Sequence, residues 1–165
     1  MEIMLQALLE DRFALKMRRE TRQGSIYSLV VAGKGSKLKP FEGTCVDPDR
    51  GKPLQPGSTA CGYRPGLGTV DATGTPVAVL TDFLSAIMGR PVLDKTGLAG
   101  RFDFRLEYKI DQATAGFQAA ADANADDSRA TIFTALQEQL GLQLKSDTGP
   151  REYLVIDRAE KPSEN

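Results

Sequence analysis

Residues 77–93 read VAVLTDFLSAIMGRPVL, and they contain the pattern on which the fold prediction depends. Apolar side chains recur at helical spacing over Val77–Met88, which predicts a helix with one apolar face. Gly89 is positioned to end this helix because glycine readily takes the left-handed conformation of a helix end. Pro91 then starts an extended run, and the clean alternation over Arg101–Tyr108 predicts the next strand. The stretch therefore predicts a helix-strand-strand unit.

A similar unit is predicted at the start of the chain. The leucines of residues 3–14 fall on one stripe at helical spacing. The pattern changes to alternation over residues 15–18, and a second apolar, β-branched run covers residues 25–31 after turn residues near Gly24. These features predict a helix followed by a β-hairpin.

A third unit is predicted near the end of the chain. Ser128 is a suitable helix cap, and apolar residues recur at helical spacing up to a break at Gly141. Alternation resumes through Leu142 and Leu144, and Tyr153–Ile156 is the predicted closing strand.

The three units align on Leu9, Leu84 and Leu136, and four further positions in each unit are apolar or alanine. Arg90 marks a position where the middle unit departs from the leucine of the other two. One unit cannot cover its own apolar face, so we predict a single α+β domain, residues 1–165, with three helix-strand-strand units whose helices pack on an antiparallel or mixed sheet. Chance recurrence in an α+β chain stays open as the alternative. The aligned positions are Leu5, Leu80, Ile132, Leu8, Phe83, Ala135, Phe13, Met88, Leu140, Met17, Val92 and Leu144.

Three segments lie outside the repeat. Residues 33–76 are dense in Gly, Pro, Ser and Lys and are predicted to form a long irregular loop. Residues 111–130 are rich in Ala and Asp and are predicted to be a flexible linker, with a frayed helix as the alternative, and residues 159–165 are predicted to be a loose tail. Because Met1 stands at the start of the first helix, we expect the chain to be a fragment of a longer protein.

Two cysteines, Cys45 and Cys61, lie in the 33–76 segment. Two thiols without histidine cannot complete a tetrahedral zinc site, so no metal is expected. A disulfide would close the loop and would indicate an oxidising compartment. Two unrelated reduced cysteines remain the alternative.

Composition argues against several classes of function. The chain has no histidine, which removes the commonest general base and metal ligand. The phosphate-loop, dinucleotide and calcium-loop patterns each fail at a required position, and no cofactor or catalytic residue is identified. Residues 1–40 hold eight basic and four acidic side chains. The basic cluster has Tyr27 as the only aromatic residue between its two parts, so nucleic acid is not expected. Its members are Arg18, Arg19, Arg22, Lys34, Lys37 and Lys39. No apolar run is long enough for membrane insertion.

Residues 89–104 form the most distinctive local stretch. We predict a polar ligand-binding surface at this hairpin end, formed by Arg90, Asp94, Lys95 and Arg101. A structural alternative is that Asp94 and Thr96 bond to nearby backbone amides and that the local glycines supply positive φ angles.

Several motifs together carry a family resemblance that extends over nearly the whole chain. The motifs are LLEDRFALK at 8–16, YSLVVA at 27–32, SKLK at 36–39, GRPV at 89–92, DKTGL at 94–98, FTALQEQLGL at 133–142, LVID at 154–157 and EKPSEN at 160–165. In these motifs the chain resembles the bacterial family known as domain of unknown function 3738. The resemblance implies exported envelope proteins, with a signal peptide in a preceding segment, and it favours the pairing of Cys45 with Cys61, but it supplies no catalytic residues.

Two functional hypotheses follow. The first is a noncatalytic envelope module, periplasmic or extracellular, that binds an envelope protein, a peptide or a surface ligand through a sheet edge or the 33–76 loop. The helix-strand-strand unit is similar to the short N-terminal domains of secretins and TonB-dependent receptors, which bind partner proteins. The alternative is a histidine-free hydrolase or carbohydrate-active domain that uses two of the 22 acidic residues.

Overall fold

The computed structural model describes residues 2–47, 56–114 and 128–161. The chain, for which the sequence predicted a single domain, divides into two compact units. The larger unit is Ile26–Asp147, and the smaller unit combines Met1–Ser25 with Thr148–Asn165.

The described residues form helices and strands that confirm the predicted α+β class. A π-helical turn over Leu136–Leu140 continues the last helix. In chain order the elements are α1 (Glu2–Phe13), β1 (Lys16–Val31), β2 (Lys39–Pro40), β3 (Gly62–Gly66), β4 (Thr69–Thr75), α2 (Val77–Met88), β5 (Val92–Asp94), β6 (Phe102–Glu107), α3 (Ile132–Ala135) and β7 (Leu142–Arg158).

One sheet has the strand order β5-β1-β7, and each of its strands is the first strand after a helix. In the larger unit β1 and β5 are parallel, with Tyr27 opposite Val92. Ser28 bonds to Asp147, whereas Ala32 bonds to Gly141, so β1 and β7 run in opposite directions. The sheet is therefore mixed, as one of the predicted options.

The other sheet, with the order β2-β6-β4-β3, is antiparallel and lies in the larger unit. Its strands β2, β3 and β4 fall within residues 33–76, so the prediction of an irregular loop throughout that segment is wrong. Val70 and Ala72 are buried on β4, which is the alternation of a half-buried strand. The abundance of Gly and Pro around them obscured this pattern.

The core of the larger unit lies under α2 and α3. Leu80 and Leu84 of α2 and Ile132 of α3 are at most 1% exposed. They pack with apolar residues of both sheets in one cluster. Each fully buried leucine or isoleucine contributes about 1.5–3 kcal/mol, so this cluster is the main source of stability in the larger unit.

The smaller unit contains α1 and the outer parts of β1 and β7. The predicted hairpin near Gly24 is wrong because β1 continues through this residue without a turn. A Cβ atom on Gly24 would lie 3.0 Å from the hydroxyl oxygen of Tyr153 and 3.4 Å from the Cβ atom of Arg151. Gly24 therefore provides room for side chains of β7 and does not reverse the chain.

The third predicted helix-strand-strand repeat also lacks its predicted second strand. The predicted closing strand Tyr153–Ile156 belongs to the continuous strand β7 and is not a separate strand. The first and third of the three predicted helix-strand-strand repeats therefore each consist of a helix and one long strand. In the middle repeat both predicted strands form, as β5 and β6, but these two strands belong to different sheets.

The disulfide between Cys45 and Cys61 is confirmed, with a Cα–Cα distance of 5.1 Å. Backbone bonds of 2.9 Å from Val46 to Thr59 and from Cys61 to Val46 hold the two segments together. An intramolecular disulfide is compatible with an exported protein.

The remaining predictions concern segments that are described in part. Residues 115–127 of the predicted linker and 162–165 of the predicted tail lie outside the described residues. None of the helices that the structure describes combines the length and apolar character needed to cross a membrane.

Candidate functional site: a gap in the edge of the four-stranded sheet

The four predicted ligand-binding residues do not form one cluster. Arg90, Asp94 and Lys95 lie in and around β5 of the three-stranded sheet, whereas Arg101 immediately precedes β6 of the four-stranded sheet. Each of the four has its own interaction partner among the described residues.

Asp94 stabilises the turn that follows β5. Its carboxylate accepts hydrogen bonds from the backbone N–H of Thr96 at 2.8 Å and from the Thr96 hydroxyl at 2.7 Å. Gly97 and Gly100 have φ angles of 68° and 102°. These contacts match the structural alternative for Asp94 and Thr96.

Arg90 and Lys95 contact strands of the same sheet. The Arg90 guanidinium lies 5.7 Å from the centroid of the Tyr27 ring. The Lys95 ammonium is 2.8 Å from Asp147, and the Ser28 hydroxyl donates to the same carboxylate oxygen at 2.6 Å. Both cations therefore have intramolecular contacts, and their role in ligand binding stays a prediction.

Arg101 connects the disulfide-linked segment to β4. Its guanidinium donates to the two carboxylate oxygens of Asp47 at 3.1 and 2.9 Å and to the Gly74 carbonyl at 2.9 Å. The hydrogen bond and the positive charge of Arg101 lower the pKa of Asp47. The same contact raises the pKa of Arg101. Ligand binding by Arg101 would have to compete with this bidentate pair.

A cleft of about 440 Å³ opens where β2 leaves the edge of β6. Strand β2 pairs with β6 at two positions, Lys39 with Asp103 and Pro40 with Phe102. Beyond Lys39 the two segments separate, and the space between them is bounded by the π-helical turn. The edge of β6 is therefore only partly covered.

The hydrogen bonds show which backbone groups of β6 face this cleft. The Phe41 N–H donates to the Arg101 carbonyl on the side of β2. Glu107 also directs its backbone N–H and C=O away from β4, toward the side chain of Gln139. Because these directions alternate along a strand, Arg105 directs its backbone N–H and C=O into the cleft.

Lys37 would be the next partner of Arg105 if the register of β2 continued. Its backbone N–H instead donates to the Leu140 carbonyl at 2.9 Å, and its ammonium donates to the Glu138 carbonyl at 2.5 Å. Lysine is well suited to the carboxyl end of a helix because it satisfies free carbonyls there. Lys37 therefore bonds to the helix end and not to β6.

A close backbone contact allows this arrangement. Gly141 has a φ of 66°, and a Cβ atom there would lie 2.2 Å from the Gly35 carbonyl oxygen and 2.9 Å from the Lys37 nitrogen. The segment before β2 can reach the helix end because Gly141 lacks a side chain, and Gly35 supplies the left-handed backbone conformation there, with a φ of 88°.

Gln139 closes the other end of the cleft. Its side-chain oxygen accepts from the Glu107 N–H at 2.9 Å, and its side-chain nitrogen donates to the Glu107 carbonyl at 2.7 Å. The Gln139 amide thus pairs with one residue of β6 as a neighbouring strand would. Between Asp103 and Glu107, the backbone groups of Arg105 have no partner among the described residues.

The cleft is rich in positive charge. Lys37, Lys39 and Arg105 line it together with one carboxylate among its described lining residues, that of Asp103. The Asp103 carboxylate accepts the Gly74 N–H at 2.8 Å. Lys39 has no ion pair among the described residues.

The Arg105 side chain is already paired. Its guanidinium contacts Glu107 at 2.7 Å and Asp71 at 3.3 Å. The hydrogen bond to Glu107, and then the charges of Asp71 and Glu107, raise the pKa of Arg105. Lys37 and Lys39 are therefore better placed than Arg105 to bind an added anion.

A second cleft, of about 450 Å³, adjoins the first because both are lined by Lys37. It also includes Lys34, which has no ion pair in the part of the chain that the structure describes. Lys34, Lys37 and Lys39 therefore follow one continuous path along both clefts. The sequence indicated these lysines as the second part of a basic cluster that begins at Arg18, but it did not indicate where they lie in the fold.

A third cleft, of about 590 Å³, lies in the smaller unit. Two carboxylates, Glu10 and Asp157, line it. Asp157 accepts a hydrogen bond from Arg18 at 3.1 Å, and both acidic residues are exposed. Two carboxylates in the lining of one cleft are a minimal requirement of the hydrolase alternative.

Sequence reasoning missed Arg105 and Gln139. Arg105 was an ordinary outward residue of a predicted strand, and Gln139 lies in a helix 32 residues from its partner Glu107. No local pattern indicates this pairing. The free edge follows from where β2 departs, which is a property of the tertiary structure.

Comparison with known proteins identifies a family without an assigned function. No curated protein and no solved structure matches the chain. The family described as protein of unknown function (DUF3738) matches residues 1–159. Since the match covers nearly the whole sequence, the chain belongs to the DUF3738 family.

Proposed function

We propose that the chain is a noncatalytic module of the bacterial envelope or cell exterior that binds an extended, acidic segment of a protein or peptide. The observation that carries the proposal is the unpaired backbone of Arg105 between two paired positions of β6. An extended peptide can bind as an added strand by forming hydrogen bonds with the free N–H and C=O of Arg105, which is a recurrent mode of peptide recognition.

The surroundings define what kind of segment fits. Gln139 and Lys39 occupy the neighbouring positions, so a bound peptide pairs with β6 through a single residue and then leaves the edge. Its flanking side chains lie near Lys37 and Lys39, where carboxylates are favoured. The second cleft extends the path toward Lys34. A short acidic peptide matches these features.

The location outside the cytoplasm is supported by the disulfide between Cys45 and Cys61, because disulfides persist mainly in oxidising compartments. A periplasmic or extracellular location also agrees with what the family resemblance implies. Non-reducing peptide mapping of the protein isolated from its native host tests this location. Fully reduced cysteines there would contradict it.

The test of binding begins with selection from a random heptapeptide library by the oxidised protein. We expect enriched peptides to be acidic, and we then measure the Kd of one of them by fluorescence anisotropy. Arg105→Pro removes the N–H that faces the cleft without removing a bond to β4, and proline is tolerated at strand edges. It should raise the Kd by about tenfold, as expected for a lost hydrogen bond.

Arg105→Ala is the matched control because it keeps both the N–H and the C=O group of residue 105. It should raise the Kd by about threefold or less, since the side chain is exposed and already paired. Circular dichroism establishes that both variants are folded. Equal binding by wild type and Arg105→Pro, or no enriched peptide, would overturn the proposal.

The charge of the ligand is tested separately. Lys39→Gln should raise the Kd for an acidic peptide by about two- to fivefold, and added salt should reduce the difference. Lys145→Gln changes an exposed lysine of β7 that lines neither cleft and should leave the Kd unchanged.

The hydrolase alternative has a candidate location in the third cleft. Against it, Glu10 and Asp157 are exposed, whereas a general acid of this type works in a pocket that excludes water. Hydrolysis of polysaccharide substrates that is lost in Asp157→Asn and retained in Arg18→Gln would favour this alternative. An absence of hydrolysis in the wild type would remove it.

A further inference from the structure

Strand β7 is at the edge of its sheet among the strands that the structure describes. In the smaller unit its alternate side chains Glu152, Leu154, Ile156 and Arg158 are all exposed. Leu154 and Ile156 are 64% and 62% exposed, which is unusual for two apolar residues on one face of a strand. An open edge beside an apolar pair is a favourable place for another strand to associate.

These four side chains are complementary to themselves in reverse order. If a second copy of β7 lies antiparallel with the two Val155 residues opposite each other, Glu152 faces Arg158 of the second copy. Leu154 then faces Ile156 of the second copy. A two-fold axis repeats both pairs, so the interface contains two ion pairs and two apolar pairs.

Other registers lose this complementarity. Moving the centre to Leu154 places Glu152 opposite Ile156 and leaves both charges without a partner across the interface. Moving the centre to Ile156 places Glu152 opposite Glu160, which is repulsive. A parallel arrangement places each charged residue opposite its own copy, and like charges that face each other destabilise a sheet.

The chain itself limits the ladder. Pro150 lacks an N–H group and cannot donate to an added strand, so the pairing begins after it. The ion pairs within one chain do not prevent Glu152 and Arg158 from pairing with a second copy. Arg19 bonds to Glu152 at 2.9 Å, and Arg158 bonds to Glu160, but both pairs are exposed and exchange readily.

We propose that two copies of the chain associate through antiparallel pairing of β7, centred on Val155. The inference is independent of the proposed peptide site, because all its residues lie in the smaller unit and the cleft lies in the larger one. The exposed ion pairs and the small apolar contact predict a weak, concentration-dependent dimer.

Sedimentation equilibrium of the oxidised protein over a range of concentrations measures the Kd of this dimer. Glu152→Arg and Arg158→Glu each place like charges opposite each other twice, and each should raise the Kd at least about tenfold. An equimolar mixture of these two variants should associate, because every introduced charge then faces its opposite. The double variant should also recover the dimer.

Arg19→Gln is the matched control, since it removes the intramolecular ion pair of Glu152 without placing a like charge beside that carboxylate. It should leave the Kd unchanged. Leu154→Asp should abolish the dimer, with circular dichroism to establish that it is folded. A chain that is monomeric at every concentration, or a mixture of the two charge variants that does not associate, would overturn the inference.

Discussion

Helix α2 of the larger unit and helix α1 of the smaller unit both have apolar residues at the positions aligned in the sequence, but the burial of these residues is very different. Leu80 of α2 is 1% exposed, and the equivalent Leu5 of α1 is 56% exposed. The same contrast holds for Phe83 and Leu8, at 5% and 54%. The pattern establishes that a helix can have an apolar face. Whether that face is buried depends on the elements that pack on it, and α2 has them within its own unit.

The largest expected effect comes from matched truncations of the two helices. Leu80→Ala should lower the free energy of unfolding by about 2–5 kcal/mol because it leaves a cavity in the core. Leu5→Ala should change it by about 0.5 kcal/mol or less, since the side chain is already exposed. Urea unfolding followed by circular dichroism measures both. Equal losses would contradict the observed difference in burial.

The disulfide offers the second test. Replacing both Cys45 and Cys61 by serine removes a crosslink between residues separated by 16 positions. The loss should be about 3 kcal/mol in the chain-entropy model. Amides of the larger unit should exchange their hydrogens faster in this variant, whereas amides of the smaller unit should not change. Uniform faster exchange in both units would show that they unfold together.

Acid pH should produce the smallest effect, and it involves one carboxylate in each unit. Arg101 lowers the pKa of Asp47 in the larger unit, and Arg22 lowers the pKa of Glu20 in the smaller one. A lowered pKa in the folded state gives stability that is present above the unfolded value, near pH 4, and is lost as the pH falls below it.

The two carboxylates can be followed separately by nuclear magnetic resonance. Arg101→Gln should raise the titration midpoint of Asp47 and leave that of Glu20 unchanged. Arg22→Gln should do the reverse. A shift of both midpoints in either variant would show that the two units are electrostatically coupled.

Local signals in the sequence predicted much of the larger unit. Gly89 and Gly141 end their helices in the left-handed conformation, with φ angles of 62° and 66°. The alternation of β6 was also predicted correctly. These features depend on neighbours in the sequence, and simple periodicity is sufficient to identify them.

The errors concern features that depend on distant residues. Gly24 resembled a turn, but it lies within β1, next to the side chain of the distant residue Tyr153. The hairpin of β3 and β4 was hidden by glycine and proline. The gap at Arg105 exists because Lys37 bonds to Leu140, a contact between residues about a hundred positions apart. Such competition between partners is invisible to a local pattern.

The contact between Gly35 and Gly141 suggests a way to sort the members of the family. Any side chain at the position of Gly141 would push Lys37 away from the helix end and free its N–H to pair with Arg105. Relatives with a larger residue there are expected to have a longer β2 and a sealed edge. Peptide-binding and non-binding members would then differ at a glycine that touches no ligand.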